Sequence, residues 1–181
     1  MKSLIQKLEK PNQDKILKMH KILLTCIHND WAGHYRNGNV EIAGANFQPP
    51  PAAAIRRQMN EFTNWLLATK KHPVLVAAEA HYRFVYIHPF ADGNGRISRV
   101  LMNLLLMKEG HPLTVIKAEN KKAYLKALRE ADNGNKEAFY LFIAKAVLEA
   151  ITEYEEHLSG KAEKKEVGSL GTEEKIGRAH V

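Results

Sequence analysis

Twelve consecutive residues, His88-Pro89-Phe90-Ala91-Asp92-Gly93-Asn94-Gly95-Arg96-Ile97-Ser98-Arg99, place an imidazole, a carboxylate, a glycine-flanked asparagine and two guanidinium groups in one short stretch. Gly93, Asn94 and Gly95 tolerate positive φ, so together they can aim successive backbone N–H groups at one point and form an anion nest. The apolar run after them predicts a helix from about Arg96 to about Lys108, whose N-terminal amides and dipole also favour negative charge. Arg96 and Arg99, spaced i and i+3, share its first turn. Exposed cations at that end are unfavourable by about 0.3–1 kcal/mol each, so a counter-anion is needed. A polyphosphate supplies one. Asp92 would then be misplaced unless a divalent cation bridges it to phosphate, as Mg²⁺ (or Mn²⁺) does with one or two carboxylates. Neutral His88 can accept a proton near pH 7, and a base beside a cradled phosphate fits in-line nucleotidyl transfer to a hydroxyl. No Gly-Lys-Ser/Thr follows four residues after a glycine, so this is not the other common phosphate loop.

These groups need rigid supports on both sides. Pro89 disfavours helical geometry at His88, so the apolar segment Val74 to about Ile87, opened by Pro73, should end with the imidazole projecting from its terminus. Phe90 is the expected apolar anchor of the loop. Glu79, His81 and Arg83 interrupt a helix otherwise apolar on nearly every side, the signature of a buried element. His81 and His88 are i and i+7; with no third ligand in view, His81 reads as a hydrogen-bonded core residue and not as half of a metal site.

Upstream, Asp14 to His28 has apolar residues near a 3.6-residue period and predicts a helix, as does Ala52 to Lys70 with Ile55, Met59, Phe62 and Leu66 on one face. Between them, Asn37-Gly38 and the alternation around Val40 and Ile42 predict a short β-hairpin flap closed by Pro49-Pro50-Pro51. Downstream, Lys121 to Asp132 and Lys136 to His157 predict two more helices. The fold class is therefore mainly α, a helical bundle with one short β-hairpin flap, over residues 12–157 as a single domain. Residues 158–181 lack periodic apolar positions and read as a disordered tail. Ile176–Val181 coincide with the translation of a common sequencing adapter and are set aside from fold reasoning.

Composition narrows the class. The 181 residues suit one domain, and no apolar run reaches the ~20 residues of a membrane span. The first residues lack a signal-peptide centre, so a cytoplasmic location without membrane contact is expected. Cys26 is the single cysteine, which rules out an intramolecular disulfide and suits a small core residue on a helix. The net charge of +7 comes from basic residues scattered among glutamates, which argues against a nucleic-acid partner.

HPFADGNGRISR matches the Fic-domain signature, HPFx(D/E)GNGRxxR, at every fixed position. The resemblance extends from about Ile16 to Ile151 through AGHYR, VEIAGANFQPPP, MNEFTNWL and AAEAHYRFVYIHPF, and these stretches resemble the metazoan, endoplasmic-reticulum type of Fic enzyme. It implies a protein adenylyltransferase that moves AMP from ATP to a Ser, Thr or Tyr hydroxyl. His88 would be the base, Asp92 the Mg²⁺ ligand, Gly93, Asn94 and Gly95 the anion hole, and Arg96 and Arg99 the cations on the outer phosphates. Gly44, Ala45, Asn46 and Phe47 would cover the nucleotide and register the target by main-chain pairing, while Tyr124, Leu128 and Asp132 would build the adenine and ribose pocket. A homodimer, and an inhibitory helix or antitoxin in cis or trans, are further partners the family implies. The nearest match to the inhibitory (S/T)xxxE(G/N) pattern, Ser169 to Glu174, departs from it. De-AMPylation, transfer of another nucleotide, or a non-catalytic nucleotide-binding regulator remain as alternatives.

Overall fold

The structure, a computed structural model, describes residues 11–42 and 47–159. Among them are six α-helices: α1 Gln13–Leu24, α2 Ile55–Ala68, α3 Pro73–Ile87, α4 Asn94–Lys108, α5 Lys121–Asp132 and α6 Lys136–Leu158, with 3₁₀ turns at Ala52–Ala54 and Ala118–Asn120. The central element is α3, which lies against α2, α4 and α6, while α5 packs on α6. Its centrality follows from its composition: Val76, Ala77, Ala78, Ala80, Phe84 and Ile87 are all buried, so apolar surface faces neighbours on several sides. Phe62, Phe84, Phe90 and Phe139 are the largest fully buried side chains of the core. Phe90 belongs to the polar loop, so the loop is seated in the core by its own aromatic anchor.

Asn12 caps α1 by accepting from the Lys15 N–H at 2.9 Å. Ile16, His20 and Leu24, at i, i+4 and i+8, form its buried face. The helix stops at Leu24, four residues before the expected His28, because the chain turns at Cys26 (φ 70°), whose N–H donates to the Asn29 side chain at 2.8 Å. Cys26 is exposed there, which corrects its reading as a buried helical residue.

No strand occurs among the described residues of 31–51, so the expected hairpin is not formed over the described part of this segment. Side chains satisfy the polar groups a ladder would have used. The Arg36 guanidinium, buried, donates to the carbonyls of Gly38 at 2.8 Å and His88 at 2.7 Å and also to that of Pro50. Asn39 accepts from the Ala52 N–H at 3.0 Å. Gly44, Ala45 and Asn46, like the expected tail from Gly160 and the Ser169 to Glu174 stretch, lie outside the described residues. No described helix is long and apolar enough to cross a membrane.

Candidate active site

His88 stands where α3 ends, in the left-handed region (φ 49°, ψ 58°), a conformation few non-glycine residues adopt. Three contacts hold it there. Its N–H donates to the Phe84 carbonyl at 3.0 Å, its own carbonyl accepts from Arg36 Nε at 2.7 Å, and Nδ1 lies 3.3 Å from the Val85 carbonyl. A carbonyl can only accept, so the Nδ1 contact places the neutral imidazole proton on Nδ1 and leaves Nε2 as the acceptor. Burial pushes the His88 pKa down; the Val85 carbonyl opposes this and the charge of Arg36 adds to it. The net effect favours the basic, neutral ring.

The loop that follows is closed by Asn94. Its Oδ1 accepts from the Phe90 N–H at 2.9 Å and its Nδ2 donates to the Phe90 carbonyl at 2.8 Å, and the residue is 3% exposed. The Asn94 carboxamide therefore faces the core, so its contribution at an anion site would be its backbone N–H. Gly93 adopts φ 82° as the N-cap of α4, and no side chain caps that end. The helix thus begins two residues earlier than expected, with Asn94, Gly95 and Arg96 supplying the first-turn amides that can meet an anion.

Sequence reasoning missed His20. It is fully buried, its Nδ1 accepts from the Gly33 N–H at 3.0 Å, and its Nε2 donates to the Asp92 carbonyl at 3.0 Å. Its ring stacks on Phe90 at 3.6 Å between centroids. His20 thereby ties α1 to the back of the loop, and a β-carbon on Gly93 would come within 3.3 Å of Nε2. A polar residue midway between buried Ile16 and Leu24 was the available signal.

Asp92 and Arg96 meet directly: Oδ2 accepts from the guanidinium at 2.7 Å, while Oδ1 accepts from the Gly93 N–H at 2.6 Å. Partial burial pushes the Asp92 carboxyl up, but the Gly93 N–H and Arg96 outweigh it and hold it below the usual carboxylate range. Arg96 therefore already has a counter-anion just before the helix, where the expectation was that only a ligand would supply one. Arg99 is exposed and has no ion-pair partner among the described residues. No cluster of three or more His, Cys, Asp or Glu side chains suited to a metal occurs among them. A single half-exposed carboxylate matches a hard ion that takes its remaining ligands from phosphate and water, as Mg²⁺ does, and does not match a transition-metal site.

The three residues expected to form a base pocket are divided. Tyr124 and Leu128 pack against the core, and the Tyr124 hydroxyl lies 3.0 Å from His81 Nε2. Asp132 instead lines a cavity of about 500 Å³ shared with Tyr82, Arg83, Tyr86 and Lys136. Burial raises its pKa against the opposing hydrogen bond from Tyr82. Phe47, where the described chain resumes, stacks on Tyr86 at 4.8 Å, with ring planes 7° apart. Tyr86 lies in the last turn of α3, so the end of the flap segment is held against that turn.

Residues 10–106 match the Fic/DOC family. The protein adenylyltransferase Fic of Nematostella vectensis is 38% identical over 155 residues, 84% of this chain and 36% of its own length. That of Drosophila willistoni is 40% identical over 145 residues, covering 78% of this chain and 28% of its own length. The chain thus spans a minor part of these relatives. Among solved structures, Fic-1 from C. elegans superposes with a TM-score of 0.77 at 29% identity, covering 84% of this chain and 46% of that one. A Fic domain containing signaling protein from Bacteroides thetaiotaomicron gives a TM-score of 0.79 at 26% identity, over 88% and 68% of the two chains.

Proposed function

The chain belongs to the Fic/DOC family, and from that membership and the geometry around His88 we propose that it is a protein adenylyltransferase: it moves the AMP part of ATP onto a Ser, Thr or Tyr hydroxyl of a target protein and releases pyrophosphate. The observation that carries this reading is His88 itself. With Nδ1 against the Val85 carbonyl its Nε2 is left to accept a proton, and the loop that His88 opens leads into a helix N-terminus that no side chain caps and that carries Arg96 and Arg99 in its first two turns.

In the proposed reaction His88 Nε2 takes the proton of the target hydroxyl as the hydroxyl oxygen attacks the α-phosphorus. The bond from that phosphorus to the bridging oxygen breaks, and pyrophosphate leaves with its electron pair. The amides of Asn94 and Gly95 meet the growing negative charge without reorganisation, and Gly93 contributes the left-handed turn that aims them. Arg96 and Arg99 hold the outer phosphates. For this, Arg96 exchanges Asp92 for phosphate; both side chains are about two-fifths exposed (38% and 44%), and such pairs contribute only about 0.3–0.5 kcal/mol, so the exchange costs little. The freed Asp92 carboxylate would hold Mg²⁺, which neutralises part of the triphosphate charge when bound. Phe47, stacked on Tyr86, would set one end of the flap over the nucleotide, and Asp132 would offer its carboxylate to polar groups of the base or ribose from the cavity it lines.

The test is incubation with ATP labelled at the α-phosphate, in the presence of Mg²⁺, of the chain and of His88→Ala, with self-labelling or labelling of added protein as the readout. Incorporation by the chain and its loss in the variant are expected. Equal incorporation by both would remove His88 from the role of base.

A further inference from the structure

Arg36 is buried, and among the described residues its side chain bonds only to main-chain carbonyls: Nε donates to His88 at 2.7 Å, Nη1 to Gly38 at 2.8 Å and Nη2 to Pro50. Its own N–H donates to the Pro89 carbonyl at 3.0 Å. A guanidinium taken out of water without a carboxylate to balance it is a weak source of stability beside apolar packing, and burial lowers its pKa. Stability alone therefore does not explain a cation at this position.

What Arg36 grips is the main chain of the proposed base. His88 is left-handed, with φ 49° and ψ 58°, a region in which the β-carbon crowds the carbonyl oxygen. Pro89 also disfavours helical backbone at the residue before it. The last turn of α3 holds only the N–H side of His88, through the Phe84 carbonyl. Arg36 holds the other side, taking the His88 carbonyl with its side chain and the Pro89 carbonyl with its main chain. With both sides held, the direction of the Cα–Cβ bond is set, and with it the point from which the imidazole projects. The guanidinium is in turn kept from drifting by Gly38 and Pro50, which take its other two nitrogens. A bond from a charged donor is about twice as strong as a neutral one, which suits a contact that must hold an unfavourable backbone.

We propose that Arg36 is a positioning residue for the base: by holding the His88 carbonyl it fixes the left-handed backbone from which the imidazole projects, and so sets the direction in which Nε2 meets the target hydroxyl. The inference rests on the proposed adenylyltransferase reading, in which His88 takes the proton.

The test is self-labelling from ATP labelled at the α-phosphate, with Mg²⁺ and over a range of ATP concentrations, for the wild type, Arg36→Lys, Arg36→Met and Asn39→Ala, each below its own Tm. Calorimetric titration with ATP and Mg²⁺ accompanies it. Both Arg36 variants should lose about 10²-fold in the labelling rate at saturating ATP, the scale of a misaligned catalytic group. The half-saturating ATP concentration and the calorimetric affinity should stay within about twofold of wild type, because a group that acts only on the chemistry leaves binding intact. Lysine keeps the charge but lacks the planar fork, so it should not rescue the rate. Asn39→Ala cuts the bond from the Ala52 N–H in the same segment without touching His88 and should label like wild type. A folded Arg36→Lys with the wild-type rate at saturating ATP, an equal loss in Asn39→Ala, or a raised half-saturating ATP concentration with the maximal rate retained would overturn the inference and leave the adenylyltransferase reading intact. If Arg36→Met does not fold, Arg36→Lys decides alone; failure of both to fold would assign the guanidinium to the fold and overturn the inference. A folded wild-type chain that neither labels nor binds nucleotide overturns both.

Discussion

Replacing Asn94 by alanine separates two roles for the residue at the centre of the motif. In the structure its carboxamide spans the loop, accepting from the Phe90 N–H at 2.9 Å and donating to the Phe90 carbonyl at 2.8 Å. Phe90 is fully buried and Asn94 nearly so, so water cannot easily replace either bond. An unsatisfied buried polar group costs about 1–3 kcal/mol, and two of them together, with partial relaxation of the loop, give a loss of about 2–4 kcal/mol. For a domain of this size that lowers Tm by about 6–12 °C. Labelling from ATP should fall with it, by about 10²-fold, because a displaced His88 loses the alignment on which a positioned base depends. Circular dichroism melts and α-label incorporation on the same preparation read both quantities. Wild-type Tm with labelling abolished would refute the reasoning, since it would mean the carboxamide serves the ligand and not the loop.

His20→Phe keeps the stack on Phe90 but removes the bonds to Gly33 and Asp92; a stability loss of about 1–3 kcal/mol is expected in urea unfolding. Burial lowers the pKa of His20, His81 and His88 in the folded chain, so the unfolded chain binds more protons below about pH 6.5. Stability should be full above that pH and fall as the pH drops, by up to about 1.4 kcal/mol per unit for each histidine; for His81 this continues towards about pH 3, and His81→Phe should show a shallower acid limb in pH-dependent melts. Glu79 is the opposite case. Burial raises its pKa, but Lys71 and Arg83 outweigh this and hold it below the ordinary value. Its contribution is present above about pH 4.5 and is lost as the pH falls through its lower folded value. Glu79→Gln should therefore destabilise by about 1.5–3 kcal/mol at pH 7 and converge with wild type in acid, as read by unfolding at both pH values. Chelation by EDTA should abolish labelling and added Mg²⁺ restore it, whereas labelling that persists in EDTA would remove Asp92 from its proposed role.

Much of this arrangement was legible in the residues because local physics dictates it. Pro89 ends α3 at Ile87, the apolar period of Lys121 to Asp132 gives α5 its observed bounds, and the glycine at position 93 takes the positive φ its type permits. What was not legible depends on partners far along the chain. The hairpin signal at Asn37-Gly38 is a sound local preference, but Arg36 spends its guanidinium on carbonyls at positions 38, 50 and 88, which no window around the turn can reveal. Asn94 reads as an anion-hole residue by spacing, yet the direction of its side chain is set by the buried Phe90 backbone. His20 contacts Asp92 across 72 positions. Asp92 and Arg96 read as partners of a ligand, yet across the start of α4 they are also partners of each other.

In the proposed site a metal-neutralised triphosphate rests on the first-turn amides of α4 and on Arg96 and Arg99, with His88 acting on the chemistry and not on binding. Isothermal titration of ATP with Mg²⁺ into the chain, His88→Ala and Arg99→Ala tests it most directly. Equal affinity is expected for the chain and His88→Ala, and a loss of at least about tenfold in Arg99→Ala, the scale of one charge-assisted phosphate contact. A folded wild-type chain that releases no heat with nucleotide, or an Arg99→Ala variant that binds as tightly as wild type, would contradict it.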